Sequence, residues 1–284
     1  MSGPSENPAA AAPEDELIIE AGRTSVHYWS DLWHYRDLFV FLTLRDIKVR
    51  YKQTVLGLGW AVIQPVVTTI IFTFVFGKLA GMSAGGVPYQ LLILAGLLPW
   101  QFFAAALSGS SVSLISNANL ISKVYFPRLI IPLSSLGLAS VDFLVVLALY
   151  IGTSFWFGRV PSWHWAFLPV FVLAALTLAF GAGLWFTALT VKYRDFRYIV
   201  PFIIQVGLFV SPVFFSTGVV PRWRNLLDLN PMTGVIDAFR WCLLSDGQPF
   251  DLHGIACSVI ISALLTLSGL WYFRRMERTF ADVI

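Results

Sequence analysis

The sequence predicts an all-α integral membrane protein with six transmembrane helices, on the basis of its composition and its apolar runs. Of the 284 residues, 57% are hydrophobic and only 12% are charged, whereas soluble domains carry about a quarter charged residues. Mean hydropathy is +0.74, and six runs come close to the roughly 17 to 25 apolar residues that a transmembrane helix needs. They cover residues 58–77, 88–111, 129–155, 165–189, 200–216 and 254–273. The fifth is the weakest, because Pro201 and Pro212 bracket only a short apolar stretch.

The distribution of basic residues predicts which loops face the cytoplasm. With six spans, 14 of the 19 lysines and arginines fall on one side of the membrane and 5 on the other. The basic side consists of residues 1–57, 112–128, 190–199 and 274–284. Because basic residues concentrate on the cytoplasmic side, both termini and the 112–128 loop are predicted to be cytoplasmic.

The first thirty residues are predicted to form a disordered cytoplasmic tail. They are rich in Ala, Pro and acidic residues, a composition typical of disorder. They lack the basic start and the apolar core of a secretory signal.

Residues 31–57 predict an amphipathic helix at the membrane interface. At 100° per residue its apolar side chains form one stripe, with charged residues opposite and at the flanks. The stripe consists of Val40, Leu44, Ile47, Tyr51 and Val55. The opposite face carries Arg45, Asp46 and Lys52, and the flanks carry Lys48 and Arg50. Such a helix lies in the membrane plane; a solvated charged face ahead of the first span is the alternative.

The segment ISNANLISKVYFPRLIIP, residues 115–132, predicts a short amphipathic helix in the cytoplasmic loop between the second and third runs. Its apolar face consists of Leu114, Ala118, Ile121 and Tyr125, and its polar face of Ser116, Asn119 and Lys123. Pro127 ends the helix, because the residue before a proline disfavours the α region. We expect this stiff helix to dock on another protein; a passive loop is the alternative.

Residues 217–253 predict a pair of half-length helices on the extracytoplasmic side. In NPMTGVIDAFRWCLL, the charged Asp237 and Arg240 alternate with large apolar side chains. The pair could dip into the membrane, where its backbone must be buried in protein or line a watery cavity. It could equally lie on the surface as two amphipathic helices.

Known catalytic and metal-binding patterns are missing from the sequence. It contains no G-x-x-x-x-G-K-[ST] phosphate loop, and no pair of carboxylates lies within the spans, which argues against catalysis and proton relays there. Cys242 and Cys257 match no metal or redox spacing and are expected to be free thiols. Gly57–Gly59 and Gly181–Gly183 favour close helix packing over nucleotide binding. We expect neither an enzyme nor a metal site.

Asp142 is the one acidic residue well inside a predicted span. A charge near mid-membrane costs at least about 2.5–3.5 kcal/mol, so the side chain must face protein or water. It could hydrogen-bond to a neighbouring helix, or it could lie beside a transport pathway.

Polar side chains share one face of the first run and one face of the fifth. They mix aromatic and polar groups, which suit sugars because sugars present both hydroxyls and apolar C–H faces. The candidates for lining a pore are Trp60, Gln64, Thr68, Gln205, Phe209 and Ser216. Aromatic residues in spans also face lipid or pack against helices, so both interpretations stay open.

Four segments, in order along nearly the whole chain after the tail, carry a resemblance to a known family. They are LRDIKVRYKQTVLGLGWAVIQP, NANLISKVYFPRLIIP, VKYRDFRYIVPF and LNPMTGVIDAFRW. Together they closely resemble the permease subunit of ABC-2 type polysaccharide exporters, the group that exports O-antigen, capsule and teichoic acid.

The resemblance implies a homodimer of six-helix subunits in the bacterial inner membrane, bound to two ATP-binding subunits that carry ATP and Mg. It assigns the transmembrane domain to residues 58–284. The substrate it implies is a polysaccharide such as O-antigen, carried on a lipid, and it implies no nucleic-acid partner.

The resemblance also assigns roles to residues. Residues 116–125 become the coupling helix, residues 221–244 become re-entrant helices, and spans one and five line the pore. The coupling contact would involve Leu114, Asn117, Ala118, Ile121, Lys123 and Tyr125. The extracytoplasmic gate would involve Asn230, Pro231, Asp237 and Arg240.

Three other functions remain as alternatives. An ABC-2 permease for a drug or a lipid would share the same architecture. A polytopic glycosyl- or acyltransferase would need acidic or histidine clusters at a membrane face, which the sequence lacks. A proton-coupled secondary transporter is disfavoured, because Asp142 stands alone and the two halves show no repeat.

Overall fold

The computed structural model describes residues 28–52, 59–82, 86–219, 221–244, 250–277 and 279–280. Within these residues all regular structure is helical, and no strand occurs. The predicted tail up to residue 27, Val55 and Gly57 lie outside the described residues.

The helices follow one another with short connections. The first three are α1 (Tyr28–His34), α2 (Arg36–Lys52) and α3 (Gly59–Phe72), which continues as a π-helical segment (Thr73–Leu79). Next come α4 (Tyr89–Ser116), α5 (Ala118–Ile121), α6 (Ile130–Trp156), α7 (Leu168–Lys192) and α8 (Phe196–Val210). A 3₁₀ turn (Trp163–Phe167) leads into α7. The last three are α9 (Arg224–Leu227), α10 (Pro231–Leu244) and α11 (Leu252–Glu277).

Five helices of the described chain are long and apolar enough to cross a membrane, which confirms five of the six predicted runs. They are Gly59–Leu79, Tyr89–Ser116, Ile130–Trp156, Trp163–Lys192 and Leu252–Glu277. α8 is apolar but has only 15 residues, so it is about 22 Å long against a hydrocarbon core of about 30 Å.

The helix of the fifth run ends six residues before the predicted end of the run at residue 216. α8 stops at Val210, and Ser211 adopts an extended conformation, with φ −84° and ψ 146°. The residue before a proline avoids the α region, so Pro212 ends the helix. Pro212 in the sequence indicates where the helix ends. The apolar pattern does not indicate that the chain after this point is non-helical and still buried.

α4 forms the centre of the fold. Its segment LLILAGLLPW has no charged side chain, and a helix that is apolar all round is normally buried. Every residue from 91 to 100 is buried. α4 packs against α6 and α7, while α11 packs against α7 and α10 covers the N-terminal part of α4. The remaining elements are arranged around this centre.

α2 confirms the helix predicted near the membrane interface, but its buried side was not predicted. Leu42 is buried and Thr43 meets Gly137 of α6, whereas Val40 and Leu44 of the predicted stripe are exposed. Leu42 lies about 200° round the helix from Val40. Val40 and Leu44 therefore face away from the protein, whereas Ile47 and Tyr51 of the same stripe are half-buried. Contact of the stripe with the membrane stays a prediction.

The predicted tail extends too far, because helix begins at Tyr28 rather than after residue 30. The Tyr28 ring is buried, and the guanidinium carbon of Arg274 lies 4.5 Å from its centroid. This contact attaches the start of the described chain to the end of α11.

The predicted close packing at Gly181–Gly183 is confirmed. A Cβ on Gly181 would lie 2.6 Å from the backbone nitrogen of Thr266 in α11, and one on Gly183 would lie 2.5 Å from Oγ of Ser110 in α4. Small residues allow helix backbones to approach closely in membranes. The free thiols predicted for Cys242 and Cys257 are also found.

We expect Gly181→Ala to lower the free energy of unfolding by about 1–3 kcal/mol, since the added methyl must push backbone atoms apart. Gly152→Ala is the matched control, because a Cβ there meets nothing within 4 Å and alanine favours helix by up to about 1 kcal/mol. Thermal unfolding in detergent would compare the two variants. Equal melting temperatures would contradict the close contact between α7 and α11.

Candidate functional site

A cleft of about 490 Å³ lies between α3, α4, α6 and α8, beside the end of α2. Much of its wall is apolar, and its tryptophan, glutamine and threonine side chains come from α3, α4 and α8. These are Trp60, Gln64, Thr68, Trp100, Gln101 and Gln205. Trp60, Gln64 and Gln205 are exposed, so the cleft is open on the side of α3 and α8.

Four of the six residues predicted to line a pore meet in this cleft. Trp60, Gln64 and Thr68 are spaced by four residues and therefore share one face of α3, and Gln205 lines the cleft from α8. Phe209 belongs to an aromatic cluster instead. Ser216 lies beyond the end of α8, so the helical face predicted to include it is wrong.

The aromatic cluster lies one turn beyond Thr68 on α3. The ring of Phe72 stacks on that of Phe214, with centroids 3.6 Å apart, and Phe209 lies 6.4 Å and 6.2 Å from these two rings. Phe76 extends the stack. These rings join α3, α8 and the segment after α8 at one end of the cleft.

Charged groups at the cleft come from α2 and α6. Nη2 of Arg50 lies 3.0 Å from Oδ2 of Asp142, and the hydroxyl of Tyr51 donates a hydrogen bond to Oδ1. Asp142 is twelve residues into α6, about 18 Å along its axis. Its side chain is 14% exposed and that of Arg50 is 49% exposed. Asp142 therefore bonds to a neighbouring helix and lines the cleft at the same time.

Burial raises the pKa of Tyr51 to about 12, and the hydrogen bond to Asp142 acts in the same direction. The hydroxyl consequently keeps its proton at neutral pH and serves as a donor. Arg50 was noticed in the sequence only as a flanking cation. The signal that could have linked it to Asp142 is that a lone buried acid requires a partner.

The chain after α8 is irregular but buried, and Arg240 compensates for its lost helical hydrogen bonds. The Arg240 side chain is 1% exposed and donates 2.7 Å hydrogen bonds to the carbonyls of Val213 and Phe215. The hydroxyl of Tyr89 donates to the carbonyl between them, on Phe214. Non-helical backbone at membrane depth is tolerated only with such partners.

Asp237 lies beside this arrangement. Its Oδ1 is 4.0 Å from Nη1 of Arg240, and its Oδ2 accepts a hydrogen bond from Thr217. Burial lowers the pKa of Arg240 to about 10, which still leaves the guanidinium charged at pH 7. Burial also raises the pKa of Asp237, while Arg240 counteracts this shift.

Two further contacts fix the irregular segment. A Cβ on Gly96 would lie 2.6 Å from the carbonyl oxygen of Val213, so only glycine permits this approach of α4. Nδ2 of Asn230 donates to Oγ of Ser211, and Pro231 begins α10, where its missing N–H has no helical partner to lose. The four predicted gate residues thus lie in or beside the contacts that hold residues 211–217.

α10 is enclosed by other helices. Eleven of its residues are buried, and it packs against α4, α7 and α11. This burial contradicts the alternative in which α10 lies on the surface as an amphipathic helix.

The helix predicted over residues 116–125 is wrong in extent. α4 continues to Ser116, Asn117 interrupts it, α5 is a single turn, and residues 124–127 are not helical. The Asn117 side chain donates to the carbonyl of Ser113 and accepts from Nη2 of Arg45. Side chain to backbone bonding of this kind competes with helix.

The predicted apolar ridge of this loop is divided. Leu114 is buried and Ile121 is 9% exposed, so both pack inside the chain, whereas Tyr125 is 67% exposed. Lys123 and Val124 are exposed beside Tyr125. The continuous exposed surface of the loop is therefore residues 122–125, and Ser116 and Asn119 are exposed singly before it.

The base of the loop is attached to the end of α11. The backbone N–H of Arg128 donates to Oε1 of Glu277, and the Arg128 guanidinium donates to the Glu277 carbonyl. No sequence pattern indicates this contact, whose partners are 149 residues apart.

Comparison with known proteins gives matches along most of the chain. A family model described as ABC-2 type transporter matches residues 37–244, a range that runs from α2 to the end of α10 and includes the cleft. The chain is 28% identical over 256 residues to the O-antigen export system permease protein RfbA of Klebsiella pneumoniae, covering 89% of this chain and 97% of that protein.

Two further relatives have related names. The O-antigen export system permease protein RfbA of Myxococcus xanthus is 26% identical over 257 residues, 89% of this chain and 98% of that protein. The polysialic acid transport protein KpsM of Escherichia coli is 24% identical over 245 residues, 83% of this chain and 92% of that protein.

We expect Arg240→Met to lower the free energy of unfolding by at least about 3 kcal/mol, because two buried carbonyls and Asp237 lose their partner. Arg240→Lys should be intermediate, since an ammonium lacks the planar fork of the guanidinium. Arg222→Met, at an exposed position, should change stability by no more than about 0.5 kcal/mol. Thermal unfolding in detergent would test the series, and equal stability of the Arg240 and Arg222 variants would contradict the role of Arg240.

Proposed function

The chain belongs to the ABC-2 type transporter family of membrane proteins, and from this premise we propose that it is the permease subunit of an ATP-driven exporter of lipid-linked polysaccharide. The named relatives at 24–28% identity support a glycan as the substrate. The proposed location is the bacterial inner membrane, with both termini in the cytoplasm.

The observation that carries the proposal is the chemistry of the cleft. Gln64, Gln101 and Gln205 offer amide donors and acceptors, and Trp60 and Trp100 offer flat apolar rings. Sugars need both kinds of contact. An open cleft with both amide groups and aromatic rings suits a polysaccharide in transit. Each sugar makes only weak contacts, and the next sugar can make the same contacts as the chain moves.

A second copy of the chain completes the proposed pathway. The outward faces of α3 and α8 carry exposed apolar side chains, such as Ile63, Val67, Phe202 and Val206, on the open side of the cleft. Pairing two copies across these faces would cover that surface and enclose two clefts in one passage. α8 and residues 211–217 would together form the sixth crossing, and residues 221–244 would form the re-entrant part.

Two separate ATP-binding subunits are proposed to drive transport. The sequence has no phosphate loop, so nucleotide hydrolysis requires a partner. Residues 122–125 form an exposed surface on the side predicted to be cytoplasmic, and this surface is proposed to receive the movement of the partner.

We expect Gln64→Leu combined with Gln205→Leu to reduce export at least about fivefold, since two hydrogen-bonding groups are lost in a pathway where each is worth about 0.5–1.5 kcal/mol. The measurement is the amount of polymer at the cell surface after the variant is returned to a deletion strain. Gln90→Leu, outside the cleft lining, is the control. Normal export by the double variant, or no polymer retained in the cytoplasm of the deletion strain, would argue against a glycan pathway here.

We expect Tyr125→Asp to abolish binding of the ATP-binding partner without preventing membrane insertion. A buried carboxylate without a partner is strongly unfavourable at a protein interface. The measurement is the recovery of ATP hydrolysis with the affinity-tagged chain from its own membranes. Tyr198→Asp is the matched control, because Tyr198 is also exposed and lies on the same predicted side. Full recovery of ATPase with the Tyr125 variant would show that the contact lies elsewhere.

A further inference from the structure

The charges that line the cleft cancel. Arg50 and Asp142 are the two charged residues of its described lining, and they form an ion pair with each other. A cleft proposed to pass a lipid-linked glycan thus contains one cation, which is already neutralised by a carboxylate of the same chain.

We propose that Arg50 binds the phosphate or diphosphate group that joins an apolar chain to the exported glycan, and that Asp142 occupies the position of that phosphate while the cleft is empty. This inference rests on the proposed function and adds to it the chemical group that the site recognises. Asp142 is then a specificity-determining residue, because only an anion that competes with its carboxylate can take its place.

The geometry of the pair suits exchange of partners. A guanidinium is a planar fork of N–H donors that fits phosphate oxygens as well as carboxylate oxygens. Arg50 is half-exposed while Asp142 is nearly buried, so an anion that enters the cleft can approach the guanidinium from the open side. An unpaired charge at this depth is costly, and an incoming anion keeps the guanidinium neutralised.

Tyr51 remains a hydrogen-bond donor to the Asp142 carboxylate when an anion displaces that carboxylate from Arg50. Its hydroxyl donates to Oδ1 of Asp142, whereas Arg50 contacts Oδ2. When an anion takes over Arg50, the carboxylate keeps one donor and is not left without a hydrogen bond.

The surroundings of Arg50 fit an apolar chain attached to the phosphate. Trp60 lies at the rim of the cleft, and the apolar part of the cleft lining continues from it with Ala61, Ile204 and Leu208. A lipid chain can lie along these side chains while its phosphate reaches Arg50. Free phosphate would make none of these contacts.

The test uses the purified full-length chain in nanodiscs of phosphatidylcholine and measures binding of radiolabelled farnesyl diphosphate. Farnesol and inorganic diphosphate serve as competitors that carry the apolar chain alone and the phosphate alone. We expect farnesyl diphosphate to bind, and each competitor alone to bind at least about tenfold more weakly.

Variants then separate the two residues of the pair. Arg50→Gln should weaken binding at least about tenfold, and Asp142→Asn should strengthen it several-fold, because the internal competitor is neutral. Lys52→Gln removes a nearby exposed cation of α2 and should leave binding unchanged. The melting temperature of each variant shows whether it is folded, and the Arg50→Gln result decides the proposal if Asp142→Asn is unstable.

Unchanged binding by a folded Arg50→Gln variant would overturn the proposal, as would weaker binding by a folded Asp142→Asn variant. Equal competition by farnesol would mean that only the apolar chain is recognised, and equal competition by inorganic diphosphate would mean that free phosphate is the ligand; either result overturns it. The two proposals can fail separately. If Arg50→Gln binds farnesyl diphosphate normally while the Gln64 and Gln205 double variant loses export, this inference is rejected and the proposed function is retained.

Discussion

The hydrogen bonds of Arg240 to the chain after α8 are the interaction on which the rest of the site depends. Pro212 ends α8 inside the protein, and the carbonyls of Val213 and Phe215 then have no helical donor. Because the guanidinium supplies both donors, the irregular chain can stay buried and place the ring of Phe214 on that of Phe72. The aromatic end of the cleft therefore depends on the hydrogen bonds that the backbone carbonyls accept after α8 ends.

The same constraint governs the other end of the cleft. Asp142 is an acid in an apolar helix, and it is stabilised by Arg50 and Tyr51 from the end of α2. Each buried charge thus joins two elements that are separate along the chain, α2 and α6 in this case and α10 and the segment after α8 in the other. In a chain with so few charges, these pairs decide where those elements lie.

The sequence predicted the long helices well because length and apolarity are local properties, and five spans and the close approach at Gly181 followed from them. It did not predict contacts between distant residues, such as Tyr51 with Asp142, which are 91 residues apart. Helical periodicity also failed at Asn117, where a side chain competes with the backbone. Four cleft residues were predicted from their shared helix faces, but the charged partners that complete the cleft were not.

A single rigid element joins the exposed loop to the cleft. Nη2 of Arg45 donates to Asn117 at the start of the loop, and Arg50 lies five residues further along the same helix, about 7.5 Å away along its axis. Arg128 and Glu277 hold the other end of the loop to α11.

Because α11 restrains that end of the loop, a partner that displaces the loop would move α2 relative to α6. The ion pair between Arg50 and Asp142 joins these two helices, so the same movement would separate its partners. Coupling between distant sites requires an element with two arrangements that both sites can bias. The exchange of Arg50 between Asp142 and a substrate phosphate would supply those two arrangements.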